Sequence, residues 1–322
     1  MRARSRGQHG PGTEERLGVG VAAALGCFLF FSTMDALAKW LGVTYAVMQL
    51  VFFRSLFGFI PVAAVAWREG GLHSIWPRRP WVHALRGCFI LGALSLYFLG
   101  LKYLQLAEAL AIAFTAPLFM TALAGPVLGE QVGIRRWSAV VVGFCGVMVM
   151  VRPDPEKLQV EALYILGSAL CFACASLMTR ILTRSDGSAA IMFTSTLSLF
   201  VPSAIALPFV WITPDWVSLL LFFAMGIVGG MGLMLLTTAY RNAPTSVIAP
   251  LEYTALIWAV LFGWIGWKQL PDTAVWYGAA IVAAAGLYIA RREARLKREA
   301  RAQAALRQAA AEGEGETQAA SG

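Results

Sequence analysis

The sequence predicts an all-α polytopic membrane protein: ten transmembrane helices arranged as two inverted five-helix repeats around a central cavity. Three observations carry this. Ten stretches are long and apolar enough to cross a bilayer, and the second five echo the first. Ionisable residues also stand at membrane depth where the matching position of the other half is neutral.

Crossing the hydrocarbon takes about 20 mostly apolar residues in a helix. Stretches of that kind cover 17–41, 44–67, 82–102, 106–128, 134–152, 159–183, 188–211, 214–240, 243–267 and 273–291. Composition agrees, with 58% hydrophobic and only 14% charged residues and a mean hydropathy of +0.67. Soluble domains carry about 25% charged residues. The gaps between spans are too short to fold independently. The chain therefore divides into a polar tail at 1–16, a first half at 17–152, a second half at 159–292 and a second tail at 293–322. In that tail, charge alternating with alanine from Arg291 to Gln308 predicts a helical continuation, whereas the closing run EGEGETQAASG reads as disordered. No secretory signal is expected, because the first span is too long for a signal core and follows a polar tail.

The formal net charge of +8 raises the question of nucleic acid, but its distribution answers it. With the N-terminus inside, one face holds Arg2, Arg4, Arg6, Arg16, Arg68, Arg78, Arg79, Arg135, Arg136, Arg180, Arg184, Arg241 and the tail cluster that begins at Arg291. The opposite face holds only Lys39, Lys102, Arg152, Lys157 and Lys268. Positive residues stay on the cytoplasmic side, so the expectation is an inner-membrane protein with both termini cytoplasmic and no nucleic-acid partner. The five cysteines all lie in apolar spans; Cys171 and Cys174, though spaced as CxxC, read as packing residues.

The internal repeat is legible residue by residue. Lys39 recurs as Arg180, Val47-Met48 as Ile191-Met192, Trp67 as Trp211, Tyr103 as Tyr240 and Trp137 as Trp276. Five spans per half is an odd number, so the second half is upside down, the arrangement of secondary transporters with a midplane site between halves. Gly226, Gly229, Gly230 and Gly232 mark one span for close helix approach or ligand contact. Pro117 and Pro126 are loosely matched by Pro244 and Pro250.

A charge at the bilayer centre costs about 2.5–3.5 kcal/mol on insertion scales, so such residues face a cavity or a partner. Asp35 lies in the outer third of the first span, Arg54 about 15 Å into the second, and Glu252 near the middle of the ninth. Glu108 and Arg86 lie near span ends, where snorkelling at the interface is also open to them. The repeat pairs Asp35 with Ser176, Arg54 with Ser198 and Glu252 with Thr115 or a near neighbour. A scaffold requirement would recur in both halves; these charges do not, as expected if they serve an asymmetric solute. Asp35 and Arg54 also fit a structural ion pair, and both readings stay open. Low dielectric disfavours an ionised carboxylate, which makes Glu252 and Asp35 candidate proton carriers. Tyr253, Trp258, Tyr97 and Phe98 offer aromatic faces nearby, and such faces suit flat rings or organic cations. His9, His73 and His83 are the only histidines, and there is no HExxH, GxSxG or Walker loop. An intramembrane protease or an ATP-driven pump is excluded; no enzyme activity, metal or cofactor is expected.

These features resemble the drug/metabolite transporter superfamily, in particular the EamA-type permeases of bacteria, over about residues 17–292. The resemblance rests on MDALAKWL (34–41), VFFRSLFG (51–58), LAEALAIAFTAPLFMTALAGPVLGEQVGIRRW (106–137), AYRNAPTSVIAPLEYTALIWAVLFGW (239–264) and GLYIARRE (286–293). It is similar to the branch of riboflavin and S-adenosylmethionine uptake transporters. One departure is that Trp267-Lys268 stands where the family pattern has Gly-Glu, as Gly129-Glu130 does in the first half. The resemblance implies a secondary transporter working by alternating access, with Asp35, Glu108, Glu252 and Tyr253 lining the cavity and Arg54 bracing the second span. Small organic metabolites are the implied substrates, protons a candidate coupling ion and a homodimer a candidate assembly. Export on the same fold, or a non-transporting subunit or sensor, are the alternatives.

Overall fold

The computed structural model describes residues 11–68, 71–128, 133–151, 160–183 and 185–320, and the described residues contain helices and turns without a strand. In chain order the first half holds α1 (Pro11–Leu41), α2 (Val47–Arg68), α3 (Pro80–Tyr103), α4 (Leu106–Ala113), α5 (Ala116–Leu128) and α6 (Ile134–Val151). The second holds α7 (Val160–Leu182), α8 (Ser188–Val210), α9 (Trp216–Asn242), α10 (Thr245–Glu252), α11 (Thr254–Trp267) and α12 (Thr273–Ala320). Nine segments among the described residues are long and apolar enough to cross a membrane.

The expected ninth span, 243–267, departs from the sequence reading. It is two helices, α10 of 8 residues and α11 of 14, which meet at Tyr253. Span four is broken in the same way, between α4 and α5 at Phe114-Thr115. There the cause is Pro117, which has no N–H to bond the carbonyl four residues back and whose ring crowds it. In α10, Pro250 likewise removes the rung to Ser246. Both tails extend the regular structure beyond expectation. α1 starts at Pro11, and α12 continues to Ala320 through the run read as disordered. Alanine has the highest helix propensity, and Arg295 pairs with Glu299 one turn on (Nε to Oε1, 2.8 Å). The Gly129-Glu130 pair lies outside the described residues. Its counterpart Lys268 caps α11 in the left-handed conformation (φ 56°), with its own N–H on Trp264 O and that of Gln269 on Gly263 O.

Packing follows the repeat. α1 lies on α9 as α3 lies on α7, α2 on α9 as α8 on α3, and α1 on α11 as α7 on α5; α2 pairs with α8 and α6 with α12. Each pair maps onto its partner when the halves are exchanged. The α6–α12 crossing needs its glycines, since a Cβ on Gly278 would sit 2.5 Å from Gly146 O. Gly226 and Gly230 of α9 meet Phe57 and Pro61 of α2, while Gly229 and Gly232 meet Met34 and Phe31 of α1. This glycine-rich face therefore serves helix packing.

The exchange symmetry is incomplete, and two of the unmatched contacts bear on the site. α4 packs along α11, but their counterparts α10 and α5 make at most marginal contact among the described residues. α1 also touches α3, whereas α7 and α9 are not a packed pair among those residues. One end of the bundle is drawn together and the other is splayed.

Candidate functional site

The two helix breaks meet. Phe114 and Tyr253, the residues at the breaks, make an edge-to-face contact with ring centroids 4.9 Å apart. Tyr253 is held from the other side by α12, where Gly286 leaves room for its hydroxyl. Tyr253 is thus a packing residue at the junction of the halves. Glu252 precedes it, about 12 Å along α10 from the helix start. Its side chain is exposed, yet its charge bears on Cys27 of α1 and Tyr240 of α9 as well as on Tyr253. Glu252 is therefore an exposed carboxylate of α10 within electrostatic reach of α1 and α9, on the splayed side.

A second cluster occupies the drawn-together end. Asp35 and Lys39 are one turn apart on α1 and are only 8% and 6% exposed. Opposite them on α3, the Tyr97 hydroxyl donates to Asp35 Oδ2 (2.9 Å). Lys39 Nζ donates to Leu101 O (2.9 Å) and Leu104 O (2.5 Å), the carbonyls left orphaned at the end of α3. Glu108, at the third position of α4, takes the backbone N–H of Gln105, one arm of a capping box, and attracts Lys39. The Lys39 ammonium also lies 5.6 Å from the ring centroid of Trp267, the last residue of α11, and Trp40 packs edge-on to the same ring at 6.0 Å.

Asp35 and Arg54 attract one another, but no direct ion pair joins them among the described residues. Arg54, half-buried on α2, instead directs Nε at Met34 Sδ (3.4 Å). Ser176 is half-buried on α7 and is not brought to either carboxylate cluster.

Arg86 is open in the sequence to two readings, a structural or coupling charge and an interfacial one. It does not snorkel at the interface but is 2% exposed, enclosed by α3, α7 and α8. Its guanidinium donates to Thr179 Oγ1 (3.2 Å), Ile191 O (2.8 Å) and the Ser195 hydroxyl. One turn away, His83 bonds Thr194 Oγ1 (2.7 Å) and pairs with Asp186 (Nε2 to Oδ1, 3.6 Å) in the α7–α8 turn. Desolvation pushes the Asp186 carboxyl up, but the Ser185 hydroxyl, the Arg78 N–H and His83 outweigh it and hold it below the ordinary range.

Sequence reasoning missed Lys39, which it counted among surface charges. It also missed Gln49, a fully buried amide that exchanges hydrogen bonds with the Ile212 backbone (2.6 and 3.1 Å) and pins the α8–α9 connection. Lys39 did carry a signal, as the partner of Arg180 in the repeat; Gln49 carried none. A crevice of about 240 Å³ on α8, lined by Ala204, Leu207, Pro208 and Trp211, contains none of these groups.

Broken helices paired across two like halves, with carboxylates at membrane depth, define a multi-pass membrane protein built to handle a small solute. The chain belongs to the EamA-like transporter family, which matches it twice, over residues 18–152 and 159–291. It is similar to the S-adenosylmethionine uptake transporter of Rickettsia bellii, with 28% identity over 84% of this chain and 93% of the relative. The riboflavin transporter of Rhizobium johnstonii is 28% identical over 84% of this chain and 90% of its own length. A pseudopaline exporter of Pseudomonas aeruginosa is 28% identical over 84% and 96%. A solved crystal structure shares the fold with a TM-score of 0.60 at 21% identity, covering 85% of this chain and 98% of that one. The protein is a transporter of small metabolites, not an enzyme.

Proposed function

We propose that this chain takes up a small organic metabolite across the bacterial inner membrane by alternating access, with both termini in the cytoplasm. The solute binds between the halves beside Glu252, near the helix breaks, and Asp35, Tyr97, Glu108 and Ser176 come to line the passage as its other end opens. Arg54 steadies Asp35 electrostatically. The observation that carries this reading is Glu252: an exposed carboxylate well inside a transmembrane segment, facing residues of α1 and α9. Intramembrane carboxylates persist where a polar passage uses them, and a proton on Glu252 or Asp35 is the proposed coupling ion.

S-adenosylmethionine-like and riboflavin-like solutes are the proposed substrates. A carboxylate suits the cationic sulfonium, and Phe114 and Tyr253 suit a flat ring. Relatives include both importers and an exporter, so direction is part of the test. Purified protein in proteoliposomes is offered a panel of labelled solutes, in both gradient directions, with and without an imposed pH gradient. Saturable uptake of one of the two classes, raised by the pH gradient, is expected. Movement only outward favours export, and no saturable movement of any small metabolite overturns the reading.

A further inference from the structure

Lys39 lies where four helices converge. It stands on α1, caps α3 through two carbonyls, attracts Glu108 of α4 and lies against Trp267 of α11. These are the elements that close one end: α4 on α11 and α1 on α3. Arg180, which the repeat places opposite Lys39, is exposed on α7 at the splayed end. A buried ammonium is kept only where its charge is satisfied. Here the satisfying groups are helix-end carbonyls, whose partial negative charge lies within the last turn. Separating α1 from α3 would strip Lys39 of both bonds at once, while water could then solvate all parties. Its contacts are therefore made in one state of the bundle.

We infer that Lys39 is the latch of the non-cytoplasmic end: its bonds to Leu101 and Leu104, assisted by Glu108 and Trp267, hold the passage shut there while Glu252 is open on the other side. This rests on the alternating-access reading above, and it adds a residue that acts on the balance between states without touching the solute.

The test is a distance measurement. Spin labels replace Val43 and Leu270, which are 69% and 62% exposed beside the latch, in full-length protein whose five native cysteines are substituted. Lys39→Met removes the donors and keeps the stem. Charge-assisted hydrogen bonds of this kind shift an equilibrium by about 10- to 100-fold. The expected result is a longer-distance population, displaced by about 5 Å or more, that grows at least tenfold relative to the parent. Lys39→Arg, which keeps the charge and donors, retains the short distance. An unchanged distribution in folded Lys39→Met overturns the latch. If Lys39→Met does not reach the membrane folded, Glu108→Gln gives the same readout with a smaller shift in the same direction, and no shift there overturns it equally. The distances need no solute, so a failed latch and a failed transport assay are distinguishable.

Discussion

Arg86→Met separates bracing from transport. The arginine is enclosed, and its guanidinium reaches three acceptors on two neighbouring helices. A hydrogen bond to a charged group is worth about 1.5–3 kcal/mol net, but the three do not add. Thr179 and Ser195 already bond their own helices, at Ala175 O (2.8 Å) and Ile191 O (2.5 Å), and would keep those bonds. Among the described residues Arg86 Nε has no hydrogen-bond partner, so methionine removes one buried unsatisfied group while filling similar volume. The loss reduces chiefly to the Nη2 bonds, or about 2–4 kcal/mol. For a protein of 322 residues that is a fall in melting temperature of roughly 3–6 °C. Thermal unfolding in detergent, alongside solute uptake normalised to folded protein, checks both halves of the claim. Uptake per folded molecule should keep its KM. Unchanged melting combined with lost uptake would place Arg86 in the passage and refute the bracing argument.

Glu252→Gln is expected to abolish uptake in proteoliposomes while the protein stays folded and inserted by size-exclusion and protease protection; unchanged rates would remove this carboxylate from the mechanism. Gly278→Val should destabilise by about 1–3 kcal/mol or more through overpacking, because the added Cβ meets Gly146 O at 2.5 Å, and melting temperature reads it directly. Asp186 titrates below the ordinary carboxylate range, so it contributes stability above the unfolded pKa of about 4, and that contribution fades as pH falls through the folded value. Melting curves of parent and Asp186→Asn should accordingly differ at pH 7 and converge in acid. Tyr97→Phe deletes the only hydroxyl donor on Asp35 among the described residues. It should weaken the closed end by about 1.5–3 kcal/mol, seen as a longer distance between labels at Val43 and Leu270.

The spans were legible because apolar length is a one-dimensional signal, and the repeat because paired markers such as Lys39 and Arg180 survive in both halves. Register within the repeat was not. Drifting markers left Glu252 opposite Thr115 or a near neighbour, and the breaks narrow this by aligning Tyr253 with Phe114 and so Glu252 with Ala113. Helix ends set this alignment: extended Leu104 precedes α4 as extended Ala243 precedes α10. Charge counting also hid Lys39. A lysine near a span end looks like any interfacial lysine until the carbonyls of another helix arrive beside it. For Arg86 the sequence left a structural or coupling charge and an interfacial snorkel both open, since depth along one helix does not report how many others surround it.

In the alternating-access reading proposed above, the asymmetry of packing is what would separate two states of this symmetric scaffold. Exchange of the halves carries the Phe114–Tyr253 contact onto itself, so that contact costs the same whichever end is closed. It sits where two helices are already interrupted, which is where α4 and α10 would hinge against α5 and α11 in that reading. The α4–α11 contact, by contrast, maps onto α5–α10, and only the first is formed. The two arrangements would then differ in which polar groups are satisfied at each end. With Lys39 and Asp35 in the first half and Glu252 in the second, the proposed solute or proton would tip that balance through these charges.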